Sequence, residues 1–508
     1  MRVFLLTLML GVLAAAAESA PVADAVEKGD LATLRALLQR KVSPATPQAE
    51  GSTALHWAAL KDDLAAARLL LAAGAPIDAT TRINAITPLF MAARNGSAAM
   101  VDVLLRSGAD FNRANDNGTT PLMMASAAGS GETVRLLLDR GVNPNVREAV
   151  HGQTALMFAA ALGRADAIRV LLGRHADPEL TSFVAKIVPS RAPPGGSPPP
   201  PQVFLQGAST MGGQTALLYA AREGKTEAIR ALLEGGAAVD KISAEEQISP
   251  LLMAITNGHF DAAMLLLSHD ADPKLTSILG LSPLFATIDV AWAPFAWLPQ
   301  PITSGEATSH LDLMRALLDH GASPNIRLGR RVWMRSFGER SWVDPMGATP
   351  FWRAAQALDV PAMQLLLDHG ADPRIPNGFG DSALMVAAGI GWAPNNTTTA
   401  PGAGAWMSAV RFCLALGLDI NAIDTIGYTA LHGAAFRGDN EMVSFLVSNG
   451  ARADVRTRLG DSPADMANGP IPHSIPHPDT VALLEKLGSP NSHNCRSDQC
   501  LVAPATEP

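Results

Sequence analysis

The sequence predicts an all-α solenoid of about ten to twelve stacked helix–turn–helix repeats, a fold class inferred when one pattern recurs at a fixed period of roughly 20 to 50 residues. Three observations point to it. A short motif, Gly-x-[Thr/Ser]-[Ala/Pro]-Leu, returns with its hydroxyl residue at Thr53, Thr87, Thr120, Thr154, Thr215, Ser249, Ser282, Thr349, Ser382, Thr429 and Ser462, and uninterrupted neighbours are 33 or 34 residues apart. Each motif is followed by a small apolar helix, then a second helix that ends in Leu-Leu and a glycine. Composition agrees: only 5% of the residues are aromatic and 43 are glycine, as expected of small-residue helices joined by tight turns.

The local logic of one copy is simple. Thr or Ser caps the first helix by accepting a hydrogen bond from a free backbone amide, and a following proline, as in Thr87-Pro88 or Thr349-Pro350, sits where its missing N–H costs nothing. Small residues such as Ala58-Ala59 and Ala220-Ala221 allow close helix approach. The second helix carries an apolar stripe, for example Ala67, Leu70 and Leu71, and Gly74, Gly108, Gly141, Gly236, Gly321, Gly370 or Gly450 stops it. The Asp/Asn/Pro-rich stretch after each glycine reads as an extended finger leading to the next copy.

The N-terminus, residues 1–17, reads as an export signal. Met1-Arg2 supplies the positive end, Val3 to Leu13 the apolar core and Ala15-x-Ala17 the cleavage site. The apolar run is too short for a stable membrane span and no later segment resembles one. The expectation is a soluble exported protein, periplasmic or secreted, with a solenoid over 18–488 and a flexible tail over 489–508. A formal charge of −8 argues against nonspecific nucleic-acid binding, which needs a basic face.

These units resemble ankyrin repeats, through the Thr-Pro-Leu-His-x-Ala signature and the closing Leu-Leu-x-x-Gly-Ala, from about Val22 to about Leu487. Val22 to Val42 resembles a first repeat without its finger, and Ser462 to Leu487 a closing cap whose last helix is Asp479 to Leu487. The signature histidine survives only as His56 and His432. Phe90, Met123, Met157, Leu218, Leu252, Phe285, Trp352 and Met385 replace it, so apolar packing is expected in place of the usual inter-repeat hydrogen bond. Through Thr349-Pro-Phe-Trp-Arg-Ala-Ala and Gly427-Tyr-Thr-Ala-Leu-His-Gly-Ala-Ala-Phe-Arg-Gly the chain is similar to exported bacterial ankyrin proteins with insertions. The resemblance implies a binding scaffold with a concave face of fingers and first helices. The position after the signature histidine points into that face in the family, and here it holds Trp57, Met91, Met124, Phe158, Tyr219, Met253 and Arg353. Apolar residues at helical spacing are more often packing than contact, and both readings stay open for this row.

Four insertions interrupt the period, at 181–212, 291–309, 328–346 and 391–408. The first contains Pro198 to Pro201 and reads as flexible or polyproline-like. Seven of the eight tryptophans fall between Trp292 and Trp406, and Trp and Arg often dominate recognition surfaces. Arg331, Trp333, Arg335 and Trp342 are therefore candidate anchors for an acidic or carboxylate-bearing partner, a protein or peptide, the alternative being aromatic plugs that order a long loop.

Signs of catalysis are poor. The chain has no Gly-x-Ser-x-Gly, no phosphate loop and no His-Glu-x-x-His, so it is expected to be neither an enzyme nor a cofactor binder. Cys413 reads as a buried small hydrophobe, while Cys495 and Cys500 can close a disulfide after export. The competing hypothesis is a small-ligand or metal-dependent module built from the aromatic insertions and the tail residues His473, His477, His493, Cys495 and Cys500. Asp62-Asp63 and Glu245-Glu246 read as solvated surface.

Overall fold

The computed structural model describes residues 20–186, 210–292, 301–330, 343–392, 404–470, 474–493 and 495–497. The chain divides into two compact units, residues 1–180 and 181–508, with the division at the start of the first expected insertion.

The first unit holds five helix pairs: α1 (Pro21–Glu27) with α2 (Leu31–Gln39), α3 (Ala54–Leu60) with α4 (Leu64–Ala72), α5 (Pro88–Arg94) with α6 (Ala98–Arg106), α7 (Pro121–Ala128) with α8 (Gly131–Asp139), and α9 (Ala155–Ala161) with α10 (Ala165–Leu172). First helices pack on first helices through fully buried alanines such as Ala58, Ala59, Ala92 and Ala93. The expected caps form: Thr87 Oγ1 accepts the amide of Phe90 at 3.1 Å and Thr154 Oγ1 that of Met157 at 3.4 Å. The second helices carry caps of their own. Asp30, Asp63, Ser97 and Ser130 each accept the amide three residues on. Asp63 is thus a helix cap, and Asp62, exposed as expected, accepts the Ser97 hydroxyl. Gly74 and Gly108 end their helices at φ +80° and +93°, where a side chain is strained.

The second unit begins with the one ladder among the described residues, β1 (Val184–Lys186) antiparallel to β2 (Thr210–Gly212), with Val184 opposite Gly212. This short β-ladder forms the base of the first insertion, and the solenoid itself is helical, as the sequence predicts. Seven helix pairs follow: α11 (Ala216–Arg222) with α12 (Thr226–Glu234), α13 (Pro250–Thr256) with α14 (Phe260–Leu267), α15 (Pro283–Ala291) with α16 (His310–Asp319), α17 (Pro350–Gln356) with α18 (Val360–Asp368), α19 (Ala383–Ala388) with α20 (Ala405–Ala415), α21 (Ala430–Phe436) with α22 (Asn440–Ser448), and α23 (Pro463–Ala467) with α24 (Pro478–Lys486). The opening and closing pairs stand where the sequence puts them. The last insertion is shorter than expected, because Ala405-Trp-Met-Ser already forms the first turn of α20.

Fingers are tied to one another by a recurring device within each unit. An Asp or Asn side chain in the finger after the second helix accepts the backbone amide of a residue nearer the start of the next repeat's finger. The pairs are Asp78 with Asp110 (3.0 Å) and Asn145 with Asp177 (2.8 Å) in the first unit. In the second they are Asp240 with Asp272 (2.9 Å), Asn325 with Asp372 (2.7 Å) and Asn421 with Arg452 (2.9 Å).

The signature position holds more polar chemistry than apolar substitution suggests. His56 Nδ1 accepts the Thr53 amide at 3.1 Å, so Nε2 carries the proton and donates to the Ile86 carbonyl of the next repeat at 2.9 Å. Trp352, fully buried, takes over that inter-repeat bond: its indole N–H donates to the Asp381 carbonyl at 2.9 Å. Met123 and Met385 replace the ring nitrogen by sulfur, which accepts the cap residue's amide at 3.4 Å in both.

Candidate partner-binding surface

The row expected to face a partner is built by register. Trp57, Met91, Met124 and Phe158 occupy the fourth position after the cap in α3, α5, α7 and α9, four first helices that pack side by side. All four side chains are half-buried, whereas the residue before each (His56, Phe90, Met123 and Met157) is buried. Trp57 is also braced: its indole N–H donates to Gln48 Oε1 at 2.7 Å, and the Gln48 amide donates to Asp24 at 2.8 Å and Glu27 at 2.6 Å.

The same row fails as a surface in the second unit. Tyr219, Met253 and Arg353 are 7%, 5% and 6% exposed. The Arg222 guanidinium lies 4.9 Å from the Tyr219 ring centroid. Arg353 donates to Asp289 at 2.9 Å and to the Trp292 carbonyl at 2.8 Å, fixing α17 to the end of α15. The geometry therefore corrects these three residues: they are packing and bracing groups, covered rather than offered. Arg331, Trp333, Arg335 and Trp342 lie outside the described residues, as do His473 and Cys500. Cys495 is disulfide-bonded. Cys413 is fully buried and its thiol is pushed up to about 12 by that burial.

A polar cluster that the sequence did not reveal stands at the described edge of the 291–309 insertion. Asp359 caps α18 by accepting the Ala362 amide at 3.0 Å, and its other oxygen accepts the Trp292 indole N–H and faces His310 Nε2, both at 2.8 Å. Burial pushes this carboxyl up, but the three partners outweigh it and hold Asp359 below the usual carboxylate range. Trp292 is legible as an insertion tryptophan, but its partner 67 residues away is not. Among the described residues no group of three or more His, Cys, Asp or Glu side chains is placed to hold a metal ion. No described helix is long and apolar enough to cross a membrane.

Comparison with known proteins agrees with the helix pairs. Family models described as ankyrin repeats match residues 22–115, 89–182, 202–277 and 403–447, together more than half of the chain. A palmitoyltransferase, AKR1 of Kluyveromyces lactis, is 35% identical over 97 residues, which are 18% of this chain and 13% of that one. Protein phosphatase 1 regulatory subunit 27 of Homo sapiens is 36% identical over 96 residues, 19% of this chain and 62% of the relative. The matches thus span less than two thirds of either relative. The human ASB11 ankyrin repeat domain aligns over all of its length and 50% of this chain, at 26% identity and a TM-score of 0.40.

Proposed function

We propose, from the premise that this chain belongs to the ankyrin-repeat family, that it is an exported, non-enzymatic scaffold whose first unit binds a protein partner. The observation that carries the proposal is the row Trp57, Met91, Met124 and Phe158, repeated at one register on four adjacent helices and half-exposed on each. Thioether and aromatic side chains suit recognition because they offer large contact area, and methionine adapts its shape to a partner. Stacked helices hold the row in place before binding, so little ordering entropy is lost on association. Regulatory subunit 27 is named as a subunit of a larger assembly, which fits a partner-binding role for similar repeats.

Export rests on Arg2, the apolar stretch Val3 to Leu13 and the small residues Ala15 and Ala17. N-terminal sequencing of the secreted or periplasmic product should begin near Glu18; an intact Met1 in the cell interior overturns export. The pairing of Cys495 with Cys500 belongs to the same proposal, since an oxidising compartment preserves it.

The binding face is tested by a photo-crosslinking side chain placed at Met124 and, as control, at the exposed Arg135 on α8. A discrete crosslinked partner from position 124 and none from position 135 supports the row as the contact. Identical products from both, or none from 124, removes it.

A further inference from the structure

Among the described residues of the second unit, one cation is left with a free donor. Arg437 follows the last turn of α21, and its side chain is 10% exposed. Its Nη2 donates to Asp439 at 3.1 Å, but Nη1 is buried and has no hydrogen-bond partner. The Asp439 carboxylate is shared, since its other oxygen caps α22 by accepting the Met442 amide at 2.9 Å. An unpaired buried donor costs about 1–3 kcal/mol, and more on a charged group, so native structures rarely keep one without a counterpart. Burial lowers this guanidinium only to about 10, which leaves it cationic at neutral pH.

The surroundings are shaped around that group. Arg437 Cζ lies 3.2 Å from the centroid of the Trp406 ring and 5.8 Å from that of Trp392, and the two indoles meet edge-to-face at 6.5 Å. Gly389, at φ +120°, makes room for the arginine stem: a Cβ there collides with Arg437 Cδ. Trp406 sits in the first turn of α20, whose N-cap is Gly404 and offers no capping side chain, adding the positive end of an 11-residue helix to the same neighbourhood.

We propose that Arg437, Trp392 and Trp406 form a carboxylate-binding site, in which the ligand's carboxylate takes the free Nη1 N–H groups while the two indoles wall the guanidinium. A carboxylate fits better than a phosphate. One nitrogen is free in a mainly aromatic setting, and a tetrahedral dianion needs more donors than that. Nη1 has no accessible surface in this state, so entry turns one of the half-buried indoles aside. Binding therefore reports on Trp392 and Trp406 directly. This site lies in the second unit and does not depend on the row Trp57 to Phe158.

The test uses the full chain labelled with 5-fluorotryptophan, with Trp392→Phe and Trp406→Phe assigning the two fluorine signals. Sodium acetate, an acidic peptide with a blocked C-terminus and sodium phosphate are titrated at constant ionic strength. Saturable shifts of both signals with acetate support a site for small carboxylates. Saturation with the peptide alone supports it as a site for a partner's acidic side chain. Arg437→Gln should abolish the shift, and Arg437→Lys, which keeps the charge without the fork, should weaken it about tenfold while retaining the wild-type melt. The inference is overturned by the absence of any saturable shift, by an equal response to phosphate, or by shifts that persist in Arg437→Gln. If Arg437→Gln does not fold, Arg437→Lys decides the question: an undiminished response from it removes the site.

Discussion

At one register, the fourth position after the helix cap, the two units behave oppositely. In residues 1–180 that position is half-exposed in four consecutive repeats, and in 181–508 Tyr219, Met253 and Arg353 are buried there. The difference extends to charge. Glu148 is the one buried carboxylate or cationic side chain among the described residues of the first unit, whereas the second buries Arg353, Asp359, Asp381, Asp424, Asp461 and Asp465. A regular period leaves its faces free. An interrupted one must cover and brace its insertions, and at the edge of the 291–309 insertion it does so with Arg353 and Asp359, whose burial is tolerated because Asp289, Trp292 and His310 are supplied as partners.

The largest effect should come from Asp359→Ala, which unpairs Trp292 and His310 and uncaps α18 together. We expect a loss of about 3 kcal/mol, confined to the second unit. Hydrogen exchange reads it: protection should fall in α15 to α18 and stay unchanged in α1 to α10. A uniform loss across both units breaks the contrast. Next is Trp352→Phe, which keeps the ring and removes the N–H that reaches the Asp381 carbonyl. It should cost about 1–2 kcal/mol in denaturant melts. Phe90 holds the equivalent place in the first unit without such a bond, so a neutral result would mean that packing alone suffices in both.

A subtler contrast lies in pH. Burial, with the nearby Asp424 charge, pushes Asp381 up to about 7 from 3.8, and burial pushes His432 down to about 4 from 6.5. A raised carboxyl gives stability that is complete below pH 3.8 and lost as pH rises towards 7. A lowered histidine gives stability that is present above pH 6.5 and lost as pH falls towards 4. The two slopes oppose each other over that window and flatten the wild-type profile. Asp381→Asn should expose the histidine slope and stabilise the second unit by about 1 kcal/mol at pH 8, with no gain at pH 4. His432→Gln should expose the opposite slope. Two flat profiles would show that neither group changes its charge on folding.

The smallest effect on stability is expected where the functional proposal is strongest. Met91→Ala and Met124→Ala should each cost about 0.5 kcal/mol, as for half-exposed side chains, yet weaken the partner crosslink severalfold. A large loss of stability instead would make these methionines packing groups like Met253 and erase the contrast at this register.

What was legible in the sequence was what is local. Caps, helix-ending glycines and the first and last helix pairs follow from residues within four positions of one another. The sulfur of Met385 and the indole of Trp352 escaped because a side chain's polar edge is invisible when the residue is counted as apolar. The bracing network escaped because it is long-range: Arg353 meets Asp289 across 64 residues and His310 meets Asp359 across 49. Arg437 was visible only as the arginine of the stretch Gly427 to Gly438, with nothing local to mark its two tryptophan neighbours. Its setting is assembled from the two ends of an insertion and the following repeat, although Trp392 and Trp406 were visible as insertion tryptophans.

The finger device, in which Asp78 holds the amide of Asp110 and Asn145 that of Asp177, bears on how such chains grow. A repeat with this fitting carries one acceptor forward and meets one donor in its neighbour, so a duplicated segment that has it joins the next repeat without redesign. The Asp359 contacts work the other way. Trp292, His310 and Asp359 come from three helix neighbourhoods and depend on one another, so recombination that shuffles those repeats destroys the match. Repeats joined by the finger device alone are open to gene-level lengthening, while those tied through Asp359 are locked in their present order.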